Sequence, residues 1–550
     1  MGDPIAAVTP RPGARGDALA IAAIVAAGAA VAALVGVRGD FPLSDDWSYA
    51  WSVRALCDDG ALRFMPWTGA SLLLQTWYGA ALCRTFGFSF EVLRASTLVL
   101  ATLGAAGFWS LLGWAGVRGA PRALATALFA LDPLYVNLAF TFMTDVPFTV
   151  AAVWAGACYA RGFATRRRAW LVAGSCLAAA ALLVRQHGIF VAAAASLTAL
   201  VAPDRPWRAR IADACAAGAI ALAASLGFHV WLFAIHGAPL AVATKLGEAS
   251  RVHAAGVVNA AFRGLETLAF LAAPLALALR RDVLTRHRRL FVAATTLLAI
   301  LAVLLFLRTG ARMFYLTNVM YDLGLGASSL RDTQFLALRQ PVELGPALGL
   351  PLTLLATLAA GILLTAWVDG LRRRPEPAVC FLFVATAALF LGSLVHTRYY
   401  FDRYLLVVLP FALAALAAAG RVELGKASLA LAALLAWYAI AGTHDYLAWN
   451  RARWAGLAEL AAAGVTPAEI DGGMEFNGWT LAAGLDRWPT DAEARPGQPP
   501  TRKSWWWVVD DRYVLSFRPL PGYVVRRSLP YTRWLAPGTG RVVVLERTDP

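Results

Sequence analysis

Long apolar runs recur along the whole chain and constrain its fold more than any other feature. Of its 550 residues, 59% are hydrophobic and 15% are charged, whereas about a quarter of the residues in soluble domains are charged. A membrane-spanning helix needs roughly 20 apolar residues. By this measure we expect about thirteen spans, at residues 18–38, 91–115, 121–139, 146–162, 169–184, 188–203, 210–236, 262–280, 289–307, 344–368, 378–395, 403–420 and 426–443. The sequence therefore predicts an all-α polytopic membrane protein.

The net charge of +15 is better explained by membrane topology than by nucleic-acid binding. Basic residues cluster in alternate loops between the apolar runs, as the positive-inside rule requires of cytoplasmic loops. The clusters are Arg118 and Arg122; Arg166–Arg168; Arg205, Arg208 and Arg210; Arg280, Arg281, Arg286, Arg288 and Arg289; Arg372–Arg374; and Arg421 with Lys426. This assignment predicts an N-terminus inside the cell, a C-terminus outside, and no nucleic-acid partner.

The chain divides where the apolar runs end. Residues 1–443 contain the predicted spans and form a transmembrane domain, whereas residues 444–550 are richer in charge, Pro and Gly. A helix near 446–463 and strand-like runs at 505–509, 523–525 and 541–545 predict a small extracytoplasmic α/β domain in the second part.

The first outside loop, residues 39–90, is patterned for two amphipathic helices lying on the membrane surface. Ser44 is an N-cap type of residue and precedes a helical apolar stripe. Residues 70–86 predict the second helix. Cys57 and Cys83 share this loop and are candidates for a disulfide in an oxidising compartment, although spacing alone does not establish the bond.

Three carboxylates stand at the outside ends of the predicted spans. Asp45 and Asp46 follow the first span, and Asp145 lies between the third and fourth. Each has a structural interpretation, because acidic side chains stabilise the positive end of a helix. The alternative is catalytic, since neighbouring carboxylates can separate their pKa values and leave one as a base. Their common side of the membrane favours the catalytic alternative.

Two basic junctions lie on the same predicted side. The first is Arg185, Gln186 and His187, followed by Gly188, and the second contains His396, Arg398 and Arg403. Arginines at such positions can simply reach lipid phosphates, and the tyrosines of the second junction suit an aromatic belt. The grouped donors also match the oxygens of a phosphate. We therefore predict that these residues bind an anionic phosphate group.

Other chemistry has no signature in the chain. The cysteines, histidines and acids have no metal-ligand spacing, and neither a phosphate-binding Gly loop nor a hydrolase nucleophile motif is present. The sequence predicts no cofactor and no metal. What remains is carboxylates and arginines at one lipid–water boundary.

This pattern resembles the GT-C superfamily of membrane glycosyltransferases, in particular bacterial relatives of the protein O-mannosyltransferases and the aminoarabinose transferases of lipid A. The resemblance rests on the acidic pair Asp45-Asp46, on Asp145, on the Arg-Gln-His-Gly junction at 185–188 and on Arg403-Tyr404-Leu405-Leu406 with Pro410. It covers about the first 420 residues, and the order and shared sidedness of these short motifs carry it.

The resemblance implies a sugar transfer from a polyprenyl-phosphate carrier, outside the cytoplasmic membrane of a bacterium, to a lipid, glycan or protein acceptor. Asp45 would be the base and Asp46 and Asp145 supporting acids. Relatives often have Glu at the second position of the pair, so the choice between Asp45 and Asp46 stays open. A lysine used near the donor phosphate in some relatives has no clear counterpart in the sequence, which leaves that role to the arginines.

Two other functions are consistent with a polytopic membrane protein. A secondary transporter or flippase would carry charges deep within spans and show paired halves with broken helices. A non-catalytic scaffold would bind cell-wall polymer through its outside domain. Charges that cluster at the ends of spans, and the lack of an internal repeat, favour the transferase.

Overall fold

The structure is a computed structural model that describes residues 14–249, 253–309, 316–336, 338, 340–342, 345–373, 375–395, 400–481, 508 and 510–548. Helices dominate it, and the polytopic helical membrane fold predicted from the sequence is confirmed. Among the described residues, six helices are each long and apolar enough to cross a membrane. They are α1 (Ala14–Val35), α4 (Phe90–Trp114), α10 (Trp207–Val230, extended by a π-helical turn at Trp231–His236), α14 (Arg288–Thr309), α16 (Pro346–Arg372) and α19 (Lys426–Ala462).

The other predicted spans coincide with helices that do not meet this criterion individually. Most are unbroken but shorter or less apolar: α7 (Asp145–Thr165), α8 (Arg168–Val184), α9 (Ile189–Val201), α17 (Pro377–Ser393) and α18 (Val408–Ala419). Helix α5 (Gly119–Ala130) is the first half of a broken span. The centre of the bundle is formed where α7 packs on α4, α8 and α17. There the Tyr159 and Phe381 rings lie 5.5 Å apart. These helices are held by neighbouring helices on several sides, so a short apolar run suffices.

Two predicted spans are broken. The run at 121–139 divides between α5 and α6 (Pro133–Ala139), because Asp132 caps α6 by accepting hydrogen bonds from the Leu134 and Tyr135 N–H groups. The run at 262–280 divides into α12 (Ala254–Leu271) and α13 (Ala273–Arg286), which meet at 91°. A proline at the start of each second helix lacks the N–H that would continue the first. Counting the bent pair as one span gives at most seven candidate spans in the described part of the chain.

The segment predicted as the first outside loop (residues 39–90), which keeps that name below, contains two helices, α2 (Asp46–Asp58) and α3 (Leu73–Phe86), which pack against each other. The predicted N-cap is wrong by one residue. Asp45 occupies the cap position, and Ser44 adopts the left-handed conformation with φ +57°. Cys57 and Cys83 are free thiols.

The C-terminal part is joined to the membrane bundle by α19, a single helix of 37 residues that contains the predicted boundary at 443/444. A four-stranded sheet follows, with strand order β3-β4-β6-β5; β3 is parallel to β4 and the other pairs are antiparallel. The strands are β3 (Ile470–Asp471), β4 (Tyr513–Ser516), β5 (Tyr523–Thr532) and β6 (Thr539–Arg547). The predicted strand at 505–509 lies almost wholly outside the described residues.

The remaining strands and helices of the described residues are short. A small hairpin, β1 (Met320–Tyr321) with β2 (Gly324–Leu325), lies in the segment before α16. The short helices are α11 (Leu240–Ala249), α15 (Arg331–Gln334) and α20 (Met474–Leu481). Helix α20 packs against α2 and so joins the C-terminal part to the first outside loop.

Candidate active site

The turn that leads into α2 presents the first carboxylate of the acidic pair. Asp45 Oδ1 accepts a hydrogen bond from Trp67 Nε1 at 3.0 Å, and its Oδ2 accepts one from Arg403 Nη2 at 3.0 Å. The side chain keeps 17% of its surface exposed. Asp45 is therefore fixed by two donors, yet part of its carboxylate faces open space.

Asp46 has a different environment although it is adjacent in sequence. Its Oδ1 accepts from the Leu43 N–H at 2.7 Å and its Oδ2 from the Phe142 N–H at 3.0 Å. Burial raises the pKa of Asp46 to about 7, and these hydrogen bonds oppose that rise only in part. Asp46 thus ties the first outside loop to the segment before α7, and both its oxygens are occupied by backbone donors.

Asp145 begins α7 and is almost completely buried. Arg185 Nη1 lies 2.9 Å from Asp145 Oδ1, and Arg185 Nε donates a hydrogen bond to Thr144 Oγ1 at 2.7 Å. Arg185 follows the last residue of α8, where the chain leaves helical geometry. This ion pair connects the start of α7 with the end of α8.

Arg403 lies in a single 3-10 turn at Asp402–Leu405 before α18. Asp402 holds this turn, because its carboxylate accepts from the N–H groups of Val319, Met320 and Arg403 at 2.7–3.0 Å. Burial raises the pKa of Asp402 to about 6 despite these donors. The Arg403 guanidinium is 7% exposed. Among the described residues, its Nε and Nη1 have no hydrogen-bond partner, so two donors remain for a ligand.

The two ion pairs converge on one place. The Tyr404 ring has the Arg185 guanidinium 5.6 Å from its centroid and that of Arg403 at 5.9 Å. The charges that act on the buried Tyr49 hydroxyl are those of Asp45, Arg403, Arg185 and Asp145. Residues from four separate segments therefore form a single charged cluster.

The electrostatics keep Asp45 ionised. Burial alone raises the pKa of its carboxyl, but Arg403, the Trp67 hydrogen bond and Lys245 together hold that pKa below its ordinary value. Lys245, on α11, lies close to the backbone at Gly69, where a Cβ would collide with its ammonium group. Sequence reasoning assigned no lysine to the site, whereas in the structure the charge of Lys245 acts on Asp45. Only its rarity could have signalled it, since the chain has three lysines.

The remaining predicted residues are Gln186, His187, His396 and Arg398. Gln186 and His187 form the 3-10 turn after Arg185, and the His187 ring lies 6.0 Å from the ring of Phe190. His396 and Arg398 lie outside the described residues. Within the described part of the chain, no three His, Cys, Asp or Glu side chains are grouped so as to hold a metal ion.

A family model matches the part of the chain that contains Asp145 and Arg185. Residues 73–231 match the model of the dolichyl-phosphate-mannose-protein mannosyltransferases. The match covers less than a third of the chain. The predicted resemblance is thus confirmed, and transferase is the enzyme class of the family. No curated protein sequence matches the chain.

Three solved structures are similar to the chain at low sequence identity. ArnT from Cupriavidus metallidurans bound to undecaprenyl phosphate is 15% identical, with a TM-score of 0.39 over 96% of this chain and 98% of that one. The Saccharomyces cerevisiae protein O-mannosyltransferase Pmt1-Pmt2 complex bound to the sugar donor is 17% identical, with a TM-score of 0.34 over 42% of this chain. This chain spans about a third of that yeast chain (35%). The Archaeoglobus fulgidus oligosaccharyltransferase is 15% identical, with a TM-score of 0.39, over 77% of this chain and 54% of that one.

Proposed function

We propose that this protein is a GT-C glycosyltransferase, which moves a sugar from a polyprenyl-phosphate carrier to an acceptor hydroxyl on the extracytoplasmic side of a bacterial cytoplasmic membrane. The observation that carries the proposal is the charged cluster. A partly exposed carboxylate, Asp45, is hydrogen-bonded to a buried arginine, Arg403, that has two further donors for a ligand. Such a site can hold a phosphate and accept a proton at the same place.

The donor phosphate would bind to the cationic side of the cluster. Two guanidinium nitrogens of Arg403, Nε and Nη1, are available to it, and Arg185 and Lys245 add positive charge nearby. Guanidinium groups form paired hydrogen bonds with phosphate oxygens. The predicted ligands Gln186, His187, His396 and Arg398 would complete the phosphate site.

Asp45 would act as the base. Its depressed pKa keeps the carboxylate ionised at neutral pH, so that it can take the proton of the acceptor hydroxyl. The acceptor oxygen then forms a bond to the anomeric carbon on the face opposite the phosphate. The bond from that carbon to the phosphate oxygen breaks, and its electron pair leaves with the polyprenyl phosphate. A single displacement of this kind inverts the anomeric configuration.

The leaving group requires charge stabilisation rather than a strong acid. Negative charge accumulates on the departing phosphate, and fixed guanidinium groups stabilise it as it develops. Asp145 would hold Arg185 in place through their buried ion pair. Asp46 is buried and bound to backbone N–H groups, so it would position the acidic turn, whereas the partly exposed Asp45 would serve as the base.

The test compares envelope glycans and lipids from a deletion strain that carries the wild-type protein or Asp45→Asn. Loss of one sugar in the deletion strain, restored by the wild type and not by Asp45→Asn, supports the proposal. Asp58→Asn is the matched control, because Asp58 lies on α2 and is exposed in an ion pair with Arg54. Restoration by Asp45→Asn would contradict the role of Asp45. An unchanged envelope in the deletion strain, with altered movement of a lipid across the membrane, would favour the transporter.

Sidedness needs a separate experiment. A cysteine at Asp59, exposed at the end of α2, should react with an impermeant thiol reagent added to intact cells. A cysteine at Arg167, exposed between α7 and α8, should react only after permeabilisation. The protein without the new cysteine gives the background of the native thiols. The reverse pattern would place the site in the cytoplasm.

A further inference from the structure

The C-terminal part of the chain reaches the acidic turn through a buried carboxylate. Glu475, on α20, is fully buried, and its Oε1 accepts a hydrogen bond from the Ser44 N–H at 3.1 Å. Ser44 directly precedes Asp45 and is the residue that adopts the left-handed conformation. The backbone conformation that presents Asp45 is therefore bound to a side chain 431 positions later in the chain.

The second oxygen of Glu475 fixes the carboxylate itself. Oε2 accepts from the Ser329 hydroxyl and from Arg453 Nη1, the latter at 2.8 Å. Arg453 is fully buried on α19, and its Nε donates to the Gly472 carbonyl at 2.7 Å. A buried pair compensated in this way holds its geometry, because neither charge has water as an alternative partner.

Helix α20, which carries Glu475, also packs closely against α2. A Cβ on Gly478 would lie 2.5 Å from the Trp47 ring, so α20 approaches α2 as closely as a glycine allows. The ring of the next residue, Trp479, stacks on that of Phe88 with 6.0 Å between centroids and 2° between planes. Since Trp47 is two residues from Asp45, the packing of α20 on α2 and the Glu475 hydrogen bond both constrain the turn that contains Asp45.

We infer that Glu475 is a positioning residue for Asp45 and that the C-terminal part of the chain is an integral support of the active site. This inference rests on the proposed role of Asp45 as the base. A carboxylate offers two acceptor oxygens, whereas the amide of Glu475→Gln offers one. In that variant either the Ser44 N–H or Arg453 loses its acceptor, and the acidic turn is released.

The experiment measures sugar transfer by pulse labelling of the envelope in the deletion strain, together with binding of undecaprenyl phosphate to the purified full-length protein in nanodiscs. We expect Glu475→Gln to slow transfer by about 10- to 100-fold, as misplacement of a catalytic group does, with undecaprenyl phosphate binding unchanged. Glu475→Asp keeps the charge for Arg453 but retracts from Ser44, so it folds without an uncompensated arginine and should show the same loss. Glu459→Gln, at an exposed pair with Arg527, should transfer at the wild-type rate.

The double variant Asp45→Asn/Glu475→Gln separates a positioning role from a general structural one. If Glu475 acts through Asp45, the double variant transfers no more slowly than Asp45→Asn alone. Wild-type transfer by both Glu475 variants, phosphate binding lost in step with transfer, or a full further loss in the double variant would each overturn the inference. Failure of the proposed function gives a different result, because Asp45→Asn alone would then transfer sugar at the wild-type rate.

Discussion

Arg403 donates a hydrogen bond to Asp45 across 358 residues of sequence, and this contact joins the acidic turn before α2 to the turn before α18. The pair is nearly enclosed, with side-chain exposures of 7% for Arg403 and 17% for Asp45. It gives the cluster both a charge for phosphate and a carboxylate that stays ionised. The consequences of changing either side of the cluster can be measured separately.

Arg403→Gln should move the pH dependence of transfer. Arg403 is the main group that opposes the effect of burial on the Asp45 pKa. Without Arg403 the pKa of Asp45 rises, so the carboxylate becomes protonated at a higher pH. The acid limb of the plot of rate against pH therefore moves to higher pH. Undecaprenyl phosphate binding should also weaken by about 10- to 100-fold, as expected for the loss of a charged hydrogen-bond donor. Rate against pH in membranes checks the first effect, with Arg54→Gln as the exposed control; an unshifted profile would contradict it.

Lys245→Ala should weaken undecaprenyl phosphate binding by about three- to tenfold, the range of a partly exposed charge interaction. The physical reason is the loss of an ammonium group that acts on the same carboxylate as Arg403. Titration in nanodiscs measures the change. Lys426→Ala, at the start of α19, is the matched control and should bind as the wild type does. Equal binding by the two lysine variants would exclude Lys245 from the phosphate site.

Asp46→Asn should alter how stability depends on pH. The pKa of Asp46 is about 7 in the folded protein and 3.8 as the ordinary value. The folded state therefore holds a proton that the unfolded state releases between these values, and the resulting stability is present below pH 3.8 and lost as pH rises through 7. Removing the carboxyl removes this contribution, so the slope of melting temperature against pH becomes less negative in the variant.

Thermal unfolding of Asp46→Asn and of the wild type is measured between about pH 4.5 and 7.5, because the two pKa values differ over roughly this range. The change of melting temperature with pH checks the sign. Asp58→Asn provides the control for a carboxyl on the same helix that remains in water. The variant should also be less stable by about 1–3 kcal/mol, because its amide leaves one buried N–H without an acceptor. A slope identical to that of the wild type would show that Asp46 does not take up the proton.

Gly478→Ala should lower the free energy of unfolding by about 1–3 kcal/mol, the usual cost of overpacking. The added methyl group would meet the Trp47 ring and push α20 away from α2. Gly227→Ala is the control, since no atom lies within 4 Å of the Cβ position there. Thermal unfolding of both variants measures the difference. Equal stability of Gly478→Ala and Gly227→Ala would show that α20 and α2 are not closely packed at Gly478.

Some features of the site followed from the sequence because they depend on local composition. The cost of placing charge beside lipid drew attention to Asp45, Asp145, Arg185 and Arg403, and the structure brings all four together. The different environments of Asp45 and Asp46 were not predictable, because the acceptor geometry of Asp46 comes from the Phe142 backbone. For the same reason the Glu475 hydrogen bond to Ser44 had no sequence signal.

The sequence by itself determined that the chain is a helical membrane protein with acids and arginines at the ends of its spans. Apolar length and the expense of a charge in lipid are properties of short segments, so they can be seen without a fold. Only the tertiary structure decided which acid meets which arginine, where helices break, and that Lys245 and the C-terminal part reach the site. Those features depend on packing between residues that are far apart in the sequence, and a local sequence pattern does not predict such contacts.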